Sequence, residues 1–106
     1  MNKTNLSKLK VQYIMKTEQK IQKEIIDYLE KGGHYVIKVE KATKSGTPDL
    51  VVCTMDSGKF YAIEVKRPDK RKNTTPLQDF HLELIRKTGG KAFVADSVYD
   101  VMENGL

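Results

Sequence analysis

The feature that most constrains this chain is Gly46-Thr47-Pro48-Asp49, followed after two short apolar runs by Glu64-Val65-Lys66. The runs cover residues 50–53 and 60–63. Asp56-Ser57-Gly58 separates them, and its glycine supplies the positive φ that a tight hairpin needs. Proline has no N–H to give a ladder, so Pro48 belongs at the first position of a strand and sets how Asp49 enters it. A two-residue Ser57-Gly58 loop places Asp56 against Lys59 and Asp49 against Lys66, one diagonal from Glu64. Alternation puts Glu64 and Lys66 on one face, Ile63 and Val65 on the other, and directly opposed residues share a face. Two carboxylates and an ammonium therefore converge at one end of the hairpin. Carboxylates a few ångströms apart repel unless a cation lies between them, and a hard divalent metal is one such cation.

The flanking segments read as helices and strands. Thr17 caps a helix over about Glu18–Lys31, closed by Gly32-Gly33. At about 100° per residue, Ile25 and Leu29 lie within roughly 20° of Glu18, with Ile21, Gln22 and Ile26 beside that line. Glu24 and Asp27 fall on other faces. Glu18 thus stands on the apolar stripe, one end of which can reach the carboxylates; as a first-turn acid it also complements the helix dipole, and both readings stand. Residues 34–40 alternate as a strand with Tyr35, Ile37 and Val39 on one face, and His34 opens it. Thr75 caps a second helix, with Pro76 at its first position and Gln78 completing a capping box. Leu77, Phe80, Leu84 and Ile85 form that helix's apolar stripe, with His81 beside it. Residues 91–95 make a last strand, and Ser97 caps a terminal helical turn that stops at Asn104-Gly105. The order is α-β-β-β-α-β: an α/β protein with a central mixed sheet flanked by helices.

Size and charge narrow the function. A chain of 106 residues holds one core, so residues 17–106 form a single domain behind a basic arm or helix at 1–16. That segment carries Lys3, Lys8, Lys10 and Lys16 and no acid, with Leu6, Leu9 and Tyr13 at helical spacing. A loosely docked arm, a nucleic-acid arm and a dimer arm are its three readings. The net charge of +5 favours an anionic partner. A lone cysteine excludes an internal disulfide and suits a reducing compartment, so a cytoplasmic location is expected. Cys53, among apolar neighbours, reads as a buried thiol. No apolar run is long enough for a membrane span. No Gly-x-x-x-x-Gly-Lys loop points to an NTPase and no Cys/His cluster to zinc. Residues 66–73 are the densest basic run. Such runs are usually solvated loops, but this one leaves directly from the Glu-x-Lys segment, where Lys and Arg can hold phosphates without reading sequence.

Asp followed by Glu-x-Lys on a hairpin resembles the core of the PD-(D/E)xK nuclease superfamily. Gly-x-Pro-Asp at 46–49 resembles its VRR-NUC branch, which also carries an early helical Glu, a Gln after the Glu-x-Lys strand and a late Gly. Glu18, Gln78 and Gly90 stand at those places, so the resemblance spans about residues 17–98. It implies a restriction-endonuclease-like core and a metal-dependent DNA endonuclease that hydrolyses phosphodiester bonds. Asp49 and Glu64 then bind Mg²⁺ or Mn²⁺, with Glu18 helping directly or through water and the Val65 carbonyl as a further ligand. Lys66 orients the attacking water, Gln78 orders water or a phosphate, and Arg67, Lys70, Arg71 and Lys72 hold the DNA backbone. Compact members resemble Holliday-junction resolvases, which implies branched DNA as partner and a two-fold homodimer. A non-catalytic DNA-binding module is the first alternative, and intact Asp49, Glu64 and Lys66 argue against it. A partner-dependent subunit is the second.

Overall fold

The computed structural model describes residues 16–106. Of the basic N-terminal segment only Lys16 falls within them. Helix α1 (Glu18–Lys31) starts where Thr17 accepts the Lys20 N–H on its side chain, and buries Ile21, Gln22, Ile25 and Leu29. Strands β1 (Tyr35–Lys38), β2 (Leu50–Cys53) and β3 (Phe60–Val65) follow. Then come a 3-10 turn at Pro68–Lys70, helix α2 (Pro76–Lys87), strand β4 (Lys91–Ala95) and helix α3 (Val98–Glu103). Sheet order is β1-β2-β3-β4, with two antiparallel pairs and then β3 parallel to β4. The parallel pair requires a crossover, and α2 supplies it. Alternation along β3 divides the packing. Tyr61, Ile63 and Val65 join Ile21, Ile25, Leu29, Leu50, Val52 and Val101 in the main core under α1 and α3. Ala62 turns the other way, towards Leu82 of α2 and Ala92. The expected mixed sheet flanked by helices is the one observed.

The hairpin register differs from the expected one. Cys53 faces Phe60 and Leu50 faces Ile63, so one step further along Asp49 stands across from Glu64, not Lys66. The turn is longer than two residues because Thr54 and Lys59 extend the pairing: the Thr54 N–H donates to the Lys59 carbonyl at 3.0 Å. The Thr54 hydroxyl takes the Lys59 N–H at 2.8 Å and lies 2.8 Å from Ser57 Oγ. Asp56 and Gly58 both adopt positive φ, and His34 Nδ1 accepts the Met55 N–H at 3.0 Å, so His34 is a brace for the turn. Cross-strand partners shift by two, an even step, so every side chain keeps its face.

Two burial expectations fail for one reason. Leu77, Phe80 and Leu84 are 45%, 58% and 43% exposed, and Leu82 and Ile85 make the core contact of α2 instead. Cys53 is exposed rather than buried. A helix about 10 Å wide covers roughly two strands spaced about 4.8 Å apart, and α2 lies over β3 and β4. On that face of β1 and β2, Tyr35, Ile37 and Cys53 are left open.

Candidate functional site

Asp49 and Glu64 meet on the α2 side of the sheet, at the end where β2 begins and β3 finishes. Asp49 Oδ2 accepts the Val65 N–H at 2.7 Å, which fixes its carboxylate against β3. Pro48 before it is fully buried. Glu64 is only 3% exposed. Its Oε1 accepts Gln78 Nε2 at 2.9 Å and lies 3.7 Å from Lys66 Nζ, whereas Oε2 is buried without a hydrogen-bond partner. Gln78 closes the expected capping box and also reaches Glu64. Its N–H donates to Thr75 Oγ1 and its Oε1 accepts the Thr75 N–H, closing the capping box and leaving Nε2 for Glu64. Gly46 explains how α2 is brought here. Its φ is 81°, and a Cβ on it would lie 2.7 Å from Leu77 Cγ and 3.1 Å from Gln78 N. Only glycine lets this loop rest on the first turn of α2.

Burial is the chief reason both carboxyls resist ionisation. The Glu64 pKa is pushed up to about 8 by burial and then by the Asp49 charge; Lys66 offsets part of the rise and Glu18 adds to it. Asp49 is also raised by burial, against the Val65 N–H and Lys66, which favour its charged form. The two carboxyls lie within hydrogen-bonding reach of each other, yet two carboxylates have no proton to share. At neutral pH the pair is satisfied by one bound proton or by one cation. The orphaned Glu64 Oε2 fits a cation, and an all-oxygen donor pair suits a hard one such as Mg²⁺ or Mn²⁺. Among the described residues, no three His, Cys, Asp or Glu side chains gather closely enough to hold a metal. Glu18 thus stands back from the pair, near enough for its charge to act on Glu64. One turn along α1, Gln22 is buried with an unpartnered Oε1.

A family model of the VRR-NUC domain matches residues 3–99. The chain belongs to the VRR-NUC family. A solved structure described as "VRR_NUC domain" is 34% identical, with 81% of this chain and 90% of that chain covered and a TM-score of 0.65. A search of curated proteins gives no match. VRR-NUC domains are part of the PD-(D/E)xK nuclease superfamily, so this is a nuclease-type domain with a nuclease-like, DNA-processing function. Among the described residues no helix is long and apolar enough to cross a membrane.

The basic loop of this VRR-NUC chain is more occupied than its sequence suggests. Arg67 grips Asp69 through two bonds of 3.0 and 2.8 Å. Arg71 is paired with Asp100 and lies 3.4 Å from Asp96, which ties the loop to the start of α3. Lys70 and Lys72 are exposed, and no ion pair engages them among the described residues. Sequence reasoning also missed the segment before Asp49. Loop 39–47 walls a cavity of about 450 Å³ that includes Asp49 itself, and Lys38 acts on the Asp49 charge. Its only sequence signal was a pair of lysines just upstream of Gly46.

Proposed function

We propose that this VRR-NUC chain is a divalent-metal-dependent endodeoxyribonuclease, selective for branched DNA such as a Holliday junction and working as a homodimer. The observation that carries the reading is the buried Glu64 carboxylate, its Oε2 unpartnered, facing Asp49 with Lys66 alongside. Asp49 and Glu64 are the residues that would hold Mg²⁺ or Mn²⁺, with the Val65 carbonyl and a water on Glu18 as further oxygen donors. When bound, such an ion supplies Lewis acidity at the scissile phosphate and a water of lowered pKa. The chain's own contribution is positioning. Gln78 and the Val65 N–H fix the two carboxylates before substrate arrives. Lys66 orients the attacking water and offsets charge that develops on the phosphate.

The exposed stripe of Leu77, Phe80 and Leu84 supports the dimer. It lies on the same side of the sheet as the carboxylates and as open Tyr35, Ile37 and Phe60, and apolar area of this kind marks an interface. A second copy covering it would place two active sites in one assembly, matching the paired cleavage positions of a junction. The same stripe favours one alternative, a subunit active only with a different protein seated there. Incubating the purified protein with junction, flapped and linear DNA, with Mn²⁺ or with chelator, tests the proposal. Metal-dependent cleavage with a preference for branches is expected. No cleavage of any substrate, or cleavage that survives exhaustive metal removal, would overturn it.

A further inference from the structure

The segment joining β1 to β2 is fastened at several points. The Val39 N–H donates to the Asp49 carbonyl at 2.8 Å, so the intervening loop hangs from a closed base. Within it the Thr47 hydroxyl donates to the Lys44 carbonyl, Gly46 rests on Leu77 and Gln78, and Pro48 is buried. The cavity this loop walls is lined by Asp49, Lys41, Lys44 and residues 45–47. Its volume is about 450 Å³, and it opens broadly to solvent. Glu40 is the only acid lining it besides Asp49. Lys38, Lys41 and Lys44 are all exposed, and among the described residues none is held in an ion pair, in contrast to Arg67 and Arg71.

Two basic loops adjoin this site. The loop at 39–48 joins β1 to β2 and reaches the first turn of α2, and the loop at 66–73 is tied towards α3. Free cations therefore stand on both loops that adjoin the carboxylate strands: Lys41 and Lys44 before Asp49, Lys70 and Lys72 after Lys66. Two carboxylates repel a polyanion, and neighbouring ammonium groups oppose that repulsion.

We propose that the cavity between Asp49 and the Lys41–Lys44 loop is a phosphate subsite, receiving the backbone phosphate next to the scissile one on the cleaved DNA strand. The assignment rests on the nuclease reading and adds to it a path for the strand. Lys41 and Lys44 act as contacts to phosphate oxygen and read no base. The test uses the full chain carrying Lys41→Ala and Lys44→Ala together, with Lys41→Arg and Lys44→Arg as the conservative pair. Binding of a fluorescent junction is followed by anisotropy in Ca²⁺ across a salt series. The alanine pair should bind about tenfold more weakly, with a log K against log salt slope shallower by up to about 1.8, or about 0.9 for each lost contact on duplex DNA. The arginine pair should restore both.

Neutral methylphosphonates, placed singly along the cleaved strand, then locate the contact. At the position flanking the cut, the substitution should slow cleavage by the unaltered protein several-fold and add nothing to the defect of the alanine pair. An alanine pair with unaltered affinity and salt slope would overturn the subsite, as would equal methylphosphonate effects in both proteins at every position. If the unaltered protein itself binds and cuts no DNA with Mn²⁺, the nuclease reading falls and the subsite with it. Unaltered protein that cuts while the alanine pair matches it removes the subsite alone.

Discussion

Replacing Glu64 by Gln should make the metal-free protein more stable at neutral and alkaline pH while destroying its chemistry. Glu64 has an ordinary pKa of 4.5 and is pushed up to about 8 in the fold, chiefly by burial. A carboxyl with a raised folded-state pKa binds its proton more tightly in the folded chain than in the unfolded one. Its contribution to stability is therefore complete below about pH 4.5 and is lost as pH rises through about 8. Between those limits the slope approaches about 1.4 kcal/mol per pH unit, for a total on the order of 4–5 kcal/mol from this one group. Asp49, also raised, pulls in the same direction. Glutamine keeps the shape and keeps an acceptor for Gln78 Nε2, but has no charge to bury. Urea unfolding in chelator at pH 5, 6, 7 and 8 measures the effect. The two proteins should be close in stability at pH 5, with the Gln variant ahead by a few kcal/mol at pH 8. Adding Mn²⁺ should close the gap by stabilising only the protein that can present two carboxylates. Parallel stability curves for the two proteins from pH 5 to 8 would refute the reasoning, because Glu64 would then be ionised without penalty.

Gly46→Ala should cost at least about 2 kcal/mol, since it combines a left-handed backbone with a clash against Leu77, and calorimetry on the variant checks this. Neutralising Lys70 and Lys72 should flatten the salt dependence of DNA binding by up to about 0.9 per lost contact. Arg71→Ala should leave that slope nearly unchanged and cost at most about 1 kcal/mol of stability, because its partners are Asp96 and Asp100. Phe80→Glu should turn a dimer into a folded monomer by sedimentation; a parent protein already monomeric at micromolar concentration would sink the interface. Glu18→Gln should lower the cleavage rate, whereas Glu24→Gln, on the face that pairs with Lys16, should leave it within about twofold.

Local chemistry was readable wherever a short stretch of chain decides it. The caps at Thr17, Thr75 and Ser97 each accept the N–H expected of them, and the stop signals after α1 and α3 stand where the glycines are. The meeting of Asp49 with the Glu64 segment was readable for a subtler reason. The observed turn is longer than a two-residue loop, yet the difference moves cross-strand partners by an even number, and face depends only on parity. An odd difference would have put Asp49 on the face of Ile63 and Val65, the face that packs into the main core. Burial on the α2 side was not readable, because periodicity shows that Leu77, Phe80 and Leu84 share a stripe without showing how wide a surface waits to receive it. The pairing of Arg71 was hidden likewise: Asp96 and Asp100 lie beyond an intervening helix and strand, and no local pattern links them to residue 71.

Most of the features that break ordinary folding rules lie on one side of the sheet. Glu64 is a buried carboxyl with an orphaned oxygen, Gly46 holds a backbone that other residues resist, and Phe80 and its neighbours expose an apolar stripe. The opposite side, where Ile21, Ile25, Leu29, Leu50, Val52 and Ile63 pack, breaks almost none of them; its exception is Gln22, which lies one turn along α1 from Glu18. Rule violations that are unrelated to one another would be expected to scatter over the molecule. Violations gathered in one place point to a common use, and the carboxylates and the stripe, with the free lysines nearby, call for three different complements. A buried carboxylate pair calls for a cation, free lysines on the two adjoining loops call for a polyanion, and an uncovered apolar stripe calls for another protein surface. A two-fold nuclease holding a metal ion against DNA supplies all three. A plain DNA-binding module would leave the carboxylates costly and unused, because removing them would tighten its grip on phosphate.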